Sequence, residues 1–481
     1  MFDIMLPQDG QGPLYMQLYR YIRALIQNND ITDGAKLPSI RSLRQQSSLS
    51  KTTIETAYHL LLEEGYVLSK PRSGLYVVNP QSIQTLEDLR DHNSTTLTHR
   101  SPTCNEPAPS STNNMVDFDL LAVDGHSFPL TAWRSVLTDA LSLGGGTIHQ
   151  YGDPKGEYDL RVQLTHYLKN SRGVSCSPEQ IVIGSGISYS IHILTQLFSS
   201  PMNVAFEQDG IAQVGDLFTQ HGWNIVPVPL HDHQVSIAEL EDQNIQAIYV
   251  TPSQRPTGHP LPYNIRLEML HFAYHHHAYI IEDDYDGEFR YTGRTIPSLQ
   301  GLDHKGVVIY MGTFSKAFTP ALRMNYMVLP LPLLEKLQTM EHILSSPSRI
   351  DQLAMSLFIE RGHWYRHIRR IRHVYRKKHA SLTQLLALHF SDHIYIQGDH
   401  AGLHIELTVN TSYSAAQLIE LALSEGVRVY GSQYAGLHSS KSLPRIYMGF
   451  GRMDVCDMER GILQLKKAWT HVFTTDTISS E

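Results

Sequence analysis

GVVIYMGTFSKAFTPALR, residues 306–323, decides the reading of this chain. An apolar run (Val307 to Met311) of strand length ends in a small-residue turn that presents a single lysine, Lys316. A lysine so placed forms a Schiff base with an aldehyde cofactor. Thr313 and Ser315 flank it, and their hydroxyls can donate to a cofactor phosphate. Arg323 can add a planar, doubly donating fork to the same phosphate.

Working upstream, YIIEDDYDGEF (279–289) places Asp283 33 residues before Lys316 at the end of a second apolar run. An acid there can pair with a protonated pyridine nitrogen and keep the ring an electron sink. Tyr285, two residues on, can reach the ring hydroxyl. Further upstream, IVIGSGISYS (181–190) reads as a strand, a glycine-rich turn and a helix. Its N–H groups at Gly186, Ile187 and Ser188 can cradle a phosphate at the helix's positive end. The runs NVAFE (203–207) and AIYVTP (247–252) complete a series of short apolar segments, each followed by turn residues and a helical pattern. That alternation predicts an α/β body whose mainly parallel sheet is covered on both faces. A basic helix over about 350–388, then LHIELTV (403–409), SAAQLIELAL (414–423) and RIYMGF (445–450), predict a C-terminal α+β subdomain.

At the other end, Leu14, Leu18, Ile22, Leu25 and Ile26 recur at helical spacing. A short helix follows Pro38-Ser39, with Ile40 and Leu43 inward. A third opens at Ser50, a good N-cap, carries Ile54, Ala57, Tyr58 and Leu61, and is ended by Gly65. YVLSKPRSGLYVV (66–78) then reads as a hairpin. This is the order of a winged helix-turn-helix. From Lys36 to Lys51 stand four cations (Lys36, Arg41, Arg44 and Lys51) and no acid, with Lys70 and Arg72 on the wing. Such cations supply phosphate affinity, and Thr52 and Thr53 are sized for groove contacts. SPTCNEPAPSSTNN (101–114) is too polar to offset its own ordering and reads as linker. The expected domains are 1–79 (DNA-binding), 80–115 (linker), 116–345 (large domain) and 346–481 (C-terminal helix and small subdomain).

The bulk properties agree. A chain of 481 residues with 41% hydrophobic content can hold two or three domains. A formal charge of -8 excludes a basic coat over the whole surface, leaving nucleic-acid binding to a local patch. Cys104, Cys176 and Cys456 fit neither a zinc motif nor a disulfide framework, so reduced thiols are expected. Neither a leader nor a membrane-length apolar stretch is legible, so a soluble cytoplasmic protein is expected. His275, His276 and His277 do not share a helix face, so no metal is expected there. The basic run 366–380 reads as a solvated or subunit-facing helix.

Residues 10–78 closely resemble the DNA-binding module of the GntR family. The resemblance implies that Arg41, Lys51, Thr53 and the wing glycine Gly74 approach DNA; the family usually has arginine where Lys51 stands. The body resembles fold-type I aminotransferases. With YGDPKG (151–156), TPSQRPTG (251–258) and IIEDDYDGEFRY (280–291), the chain resembles the MocR subfamily, GntR-type regulators whose effector domain is an aminotransferase relative. That implies pyridoxal 5'-phosphate on Lys316 and a homodimer in which Tyr151 reaches the partner's phosphate. It also implies an Arg445 that binds an amino-acid effector's carboxylate. Two departures touch the substrate side. Arg255 stands where aminotransferases have asparagine, and EQDGIAQVG (207–215) has Ile211 and Gly215 for the usual tyrosine and arginine. The expected function is therefore a DNA-binding transcription regulator that senses cofactor, an amino acid or both, with residual or absent transamination. The alternative is an active aminotransferase with a fused DNA-binding module.

Overall fold

The computed structural model describes residues 14–27, 30–32, 35–47, 49–63, 66–70, 74–77, 115–143, 146, 148–198, 200–207, 211–228, 230–231, 234–235, 237–241, 243–253, 261–291, 298–398, 401–431 and 443–475. Contacts divide the chain into two units, Met1–Pro107 and Ala108–Glu481.

The first unit contains α1 (Leu14–Gln27), α2 (Ile40–Gln46), α3 (Lys51–Glu63) and an antiparallel hairpin of β1 (Val67–Lys70) and β2 (Gly74–Val77). Ser39 caps α2 by accepting the Ser42 N–H at 3.1 Å, and Ser50 caps α3 by accepting that of Thr53 at 3.1 Å. The α1 stripe closes over Leu43, Ile54, Ala57, Leu61, Val67 and Val77. Leu14 departs from that stripe: at the first turn it is 54% exposed.

The second unit begins with β3 (Val116–Asp117), α4 (Leu130–Leu143) and α5 (Tyr158–Arg172). There follow β4 (Ile181–Gly184), α6 (Ile187–Phe198), β5 (Asn203–Glu207), α7 (Ala212–Gln220), β6 (Asn224–Val228), and a short hairpin, β7 (Leu230–His231) with β8 (Gln234–Val235). Then come β9 (Ala247–Val250), α8 (Tyr263–His276), β10 (Tyr279–Asp284), α9 (Leu299–Leu302), β11 (Val308–Thr313), β12 (Asn325–Val328) and α10 (Leu331–Gln338). The seven strands order as β4-β12-β11-β10-β9-β5-β6, and all point one way except β12. Successive residues feed opposite faces: Ile281, Ile309 and Tyr249 pack under α6 and α7, while Ile280, Val308 and Ile248 pack under α8. The mainly parallel sheet with both faces covered is thus the one its uninterrupted apolar strands require.

The expected single helix over 350–388 is two, α11 (Arg349–Glu360) and α12 (His363–Phe390). Between them Gly362 takes φ 72°, a left-handed conformation that ends one helix and lets the next set off on a new axis. A four-stranded antiparallel sheet follows: β13 (Ile394–Gln397), β14 (His404–Val409), β16 (Tyr430–Gly431) and β17 (Arg445–Gly449), with α13 (Ala415–Ser424) and β15 (Val427–Arg428) before β16. Helix α14 (Val455–Thr475) closes the described chain. Ile405, Leu407, Ile446 and Met448 bury one sheet face against Leu382, Leu386, Ile462 and Trp469. No helix among the described residues is long and apolar enough to cross a membrane.

Candidate functional site

The carboxyl ends of β10 and β11 and the turn after β4 hold the chemistry-bearing residues, the usual place for a ligand in such sheets. The β10–β11 register sets Asp283 opposite Met311 and Asp284 opposite Gly312. This brings the acid pair beside the turn that carries Lys316. Asp283 is 8% exposed, and its Oδ2 accepts from the Tyr249 hydroxyl at 2.5 Å. Burial pushes its carboxyl up to about 6, and the Tyr249 bond opposes the rise. It is therefore mainly a carboxylate at neutral pH, as a partner for a pyridinium must be. Burial likewise holds the Tyr285 hydroxyl protonated, so it is a donor.

Lys316 Nζ donates to the carbonyls of Leu120 and Leu121, both at 3.1 Å. Burial lowers the amine to about 8, against the opposing charges of Asp286 and Asp119. Among its neighbours, Thr313 Oγ1 accepts the Ser315 N–H at 3.0 Å, which shapes the turn before the lysine.

The turn after β4 is built at Gly186, which has φ 135°. A Cβ there would lie 2.8 Å from Arg323 Nη2, so only glycine lets the guanidinium come this close to the turn. The Gly186 N–H is already given to Asn325 Oδ1 at 2.9 Å. Asn325 Nδ2 in turn donates to Ser190 Oγ at 2.7 Å, pinning the turn to α6. Ile187 and Ser188 open α6, where a helix leaves its first N–H groups without carbonyl partners. The N–H groups of Ile187 and Ser188 and the Arg323 guanidinium thus lie on one side of this turn, and Gly186 supplies its shape. Asp283, Tyr285, Lys316 and this cradle fit a phosphorylated pyridine aldehyde in charge and donor type.

Arg445 lies at the start of β17, where Nε is 3.6 Å from Glu406 Oε1, a side chain with no exposure. An incoming carboxylate therefore competes with an internal one for the guanidinium. Tyr151 is 105% exposed and extends away from its own chain. Ile211 is the N-cap of α7 and Gly215 is buried within that helix. Arg255 lies outside the described residues.

Three contributors escaped the sequence reading: Tyr249, Asn325 and the carbonyls of Leu120 and Leu121. Asn325 is a lone amide in an otherwise apolar strand, 3% exposed, and that was its available signal. Tyr249 sits in a run indistinguishable from core, and backbone carbonyls have no sequence signature. Several side chains of the basic run 366–380 also make contacts within the chain. Arg370 donates to Ser127 O, Arg372 to Glu288 O, and Lys378 pairs with Asp124 at 3.0 Å. These side chains brace the neighbouring segments. Likewise His277 is the left-handed cap of α8 (φ 54°) and His276 meets Glu241.

In the first unit Lys36, Arg44, Lys51 and Thr52 are exposed and Thr53 is half-buried. Lys51 lies 3.4 Å from Glu55 on the same helix. Thr52 and Thr53 Oγ1 both lie within 3 Å of Ser50 Oγ (2.9 and 2.8 Å), so the cap occupies part of their hydrogen-bonding capacity. Lys70 and Gly74 pair across the hairpin. The Arg41 side chain and all of Arg72 lie outside the described residues.

Residues 119–460 match the family of class I and II aminotransferases, and residues 14–77 match the bacterial regulatory proteins of the gntR family. The chain is 38% identical over 459 residues to the HTH-type transcriptional regulator YdeL of Bacillus subtilis, covering 95% of this chain and 97% of that protein. It is 28% identical over 472 residues to the probable rhizopine catabolism regulatory protein MocR of Rhizobium meliloti, covering 97% and 96%. Among solved structures, the multiple substrate aminotransferase of Thermococcus profundus superposes with a TM-score of 0.68 at 19% identity, over 76% of this chain and 93% of that one. That likeness establishes the fold of the second unit.

Proposed function

Because this chain belongs to the aminotransferase class I and II family, joined to a gntR-family module in the MocR-type combination, we propose a transcription regulator that takes pyridoxal 5'-phosphate on Lys316 and answers to ligand by changing its grip on DNA. The observation that carries this reading is the convergence of Lys316, Asp283 and the Gly186–Arg323 cradle on one end of the sheet. The cofactor supplies an aldehyde that captures amines and a ring that withdraws electrons.

The chain's own residues do the rest. Thr313, Ser315, Arg323 and the α6 N-terminus hold the phosphate, Asp283 holds the ring nitrogen, and Tyr285 donates to the ring oxygen. Arg445 grips the carboxylate of an amino-acid effector after displacing Glu406. In the first unit Lys36, Arg41, Arg44, Lys51 and Arg72 meet DNA phosphates, and Thr52, Thr53 and Gly74 approach the groove. Residues 80–115 join the two parts, and the protein works in the cytoplasm, where its DNA is. Efficient transamination is not expected: Ile211 and Gly215 leave the substrate wall without its usual tyrosine and arginine, and small displacements of the reacting bond are costly.

The test is a mobility-shift titration on the DNA upstream of the neighbouring genes, with and without cofactor and a panel of amino acids. Ligand is expected to change affinity or bend angle, since it shifts only an equilibrium whose states it binds unequally. Arg445→Ala should remove the amino-acid response and spare that to cofactor. Arg445→Lys, which keeps a cation beside Glu406 but loses the fork, should do the same. Rapid multi-turnover transamination with no ligand effect on DNA would establish the aminotransferase reading instead.

Two further outcomes follow from the site. A lysine attacks an aldehyde only as the free amine, and burial has set Lys316 near 8. The rate of cofactor uptake should therefore climb about tenfold per pH unit below 8 and level off above it. Stopped-flow growth of the visible band between pH 6 and 9 measures this, and a flat profile would contradict it. The working unit is a homodimer in which Tyr151, wholly exposed in its own chain, serves the partner's phosphate. Sedimentation should give twice the 54.5 kDa chain mass; cofactor-loaded protein found only at chain mass would contradict it.

A further inference from the structure

The lysine's two acceptors belong to a segment with unusual connections. Residues 119–123 cross from Lys316 to the end of β17, the strand that begins with Arg445. Leu120 O and Leu121 O accept from Lys316 Nζ. On the other side the segment lies backbone to backbone on two glycines. A Cβ on Gly449 would sit 2.1 Å from Asp119 O, and one on Gly451 would sit 2.1 Å from Ala122 O. Gly449 N–H donates to Phe118 O at 2.9 Å.

The two ends are anchored. Before the segment, β3 pairs with β15, and Phe118 N–H donates to Arg428 O at 3.1 Å. After it, Asp124 is held by Lys378 at 3.0 Å and by its own N–H to the Tyr375 hydroxyl at 2.9 Å. Lys378 also reaches Gly451 O at 2.8 Å. Between the anchors, the backbone hydrogen bonds among the described residues are the Leu121 N–H to Asp119 Oδ1 at 2.9 Å and the two from Lys316. Toward the N-terminus the chain runs on through residues 80–115 to the first unit.

We propose that residues 119–123 are a strap that reads covalent occupancy of Lys316 and passes it to the segment leading to the DNA-binding unit. The inference rests on the reading that Lys316 takes the cofactor. As a neutral amine Nζ has two hydrogens, one for each carbonyl. Joining Nζ to an aldehyde carbon by a C=N bond releases both hydrogens with the aldehyde oxygen as one water. The nitrogen can then regain at most one proton, so at least one strap carbonyl loses its donor. Leu121 is an exposed residue whose carbonyl can turn to water, whereas Leu120 is half-buried, and its carbonyl is re-partnered by movement of the strap.

The chemistry supplies its own control. Pyridoxine 5'-phosphate has the ring and phosphate of the cofactor but no aldehyde, so it can fill the cradle and leave both Lys316 bonds intact. The experiment is hydrogen exchange read by mass spectrometry on the full chain, following peptides across residues 116–127. Pyridoxal 5'-phosphate should accelerate exchange there about fivefold or more, and pyridoxine 5'-phosphate should leave it unchanged. Occupancy by the analogue is shown by its blocking the visible band when the aldehyde is added later. If both ligands accelerate exchange, or neither does while the visible band forms, the strap proposal is wrong and the cofactor reading stands. If no visible band forms with the aldehyde, the cofactor reading fails, and the strap with it.

Discussion

Lys316→Ala is expected to abolish the red-shifted visible band that the lysine-linked cofactor gives, leaving at most the absorption of unlinked aldehyde, which desalting removes. The band needs a nitrogen conjugated to the pyridine ring, and Lys316 is the lysine set between Thr313, Ser315 and the Arg323 cradle. Its amine is prepared for that bond in two ways. Burial brings it down to about 8, so an appreciable fraction is uncharged at neutral pH, against very little for an ordinary lysine. The Leu120 and Leu121 carbonyls hold it in place without charge. Alanine removes the nucleophile but none of the phosphate or ring contacts, so the variant should still retain cofactor, more weakly and reversibly. Spectra before and after desalting separate the two effects. A variant that kept the band would place the link on another lysine, and a colourless wild type after soaking would reject the site.

Removing residues 1–80 is expected to weaken specific DNA binding by at least about a thousandfold, the lower end of the gap that separates specific from non-specific affinity. The whole chain has a formal charge of -8, so nothing in its bulk charge favours DNA. The cations Lys36, Arg41, Arg44 and Lys51 fall within sixteen residues that contain no acid. Each phosphate they neutralise should contribute about -0.9 to the slope of log affinity against log salt. The truncated chain should therefore lose affinity and most of its salt dependence together. The second unit, with its own cores, should remain folded and take cofactor. Arg41→Ala in the full chain should weaken binding clearly, and by less than the truncation. Equal promoter binding by the truncated chain would refute the assignment.

What could be read in advance follows physical lines. Strands buried on both faces announce themselves as uninterrupted apolar runs, so β4, β5, β9, β10 and β11 were legible. β12 and β6 were not: MNYMV and NIVPV carry a buried asparagine and a proline that blur the signal. The break between α11 and α12 was missed because helical periodicity continues across it, and only the φ of Gly362 separates the two. Lys316, Asp283 and Arg323 were legible because covalent, pyridinium and phosphate chemistry each require one residue type. Gly186 was assigned a donor role because turn amides before a helix commonly bind phosphate. Its N–H instead goes to Asn325, a partner 139 residues away that no local pattern connects to it. The strap was illegible for a related reason: it works through backbone carbonyls, which every residue has.

Whether chemistry at Lys316 changes the hold on DNA is tested by a single titration. Promoter DNA is titrated with wild-type and Lys316→Ala protein, each with and without pyridoxal 5'-phosphate at fixed salt. Cofactor should change the affinity or bend angle for the wild type and leave the variant unchanged, with both proteins binding DNA in its absence. A wild type indifferent to cofactor, or a variant that responds as the wild type does, would contradict it.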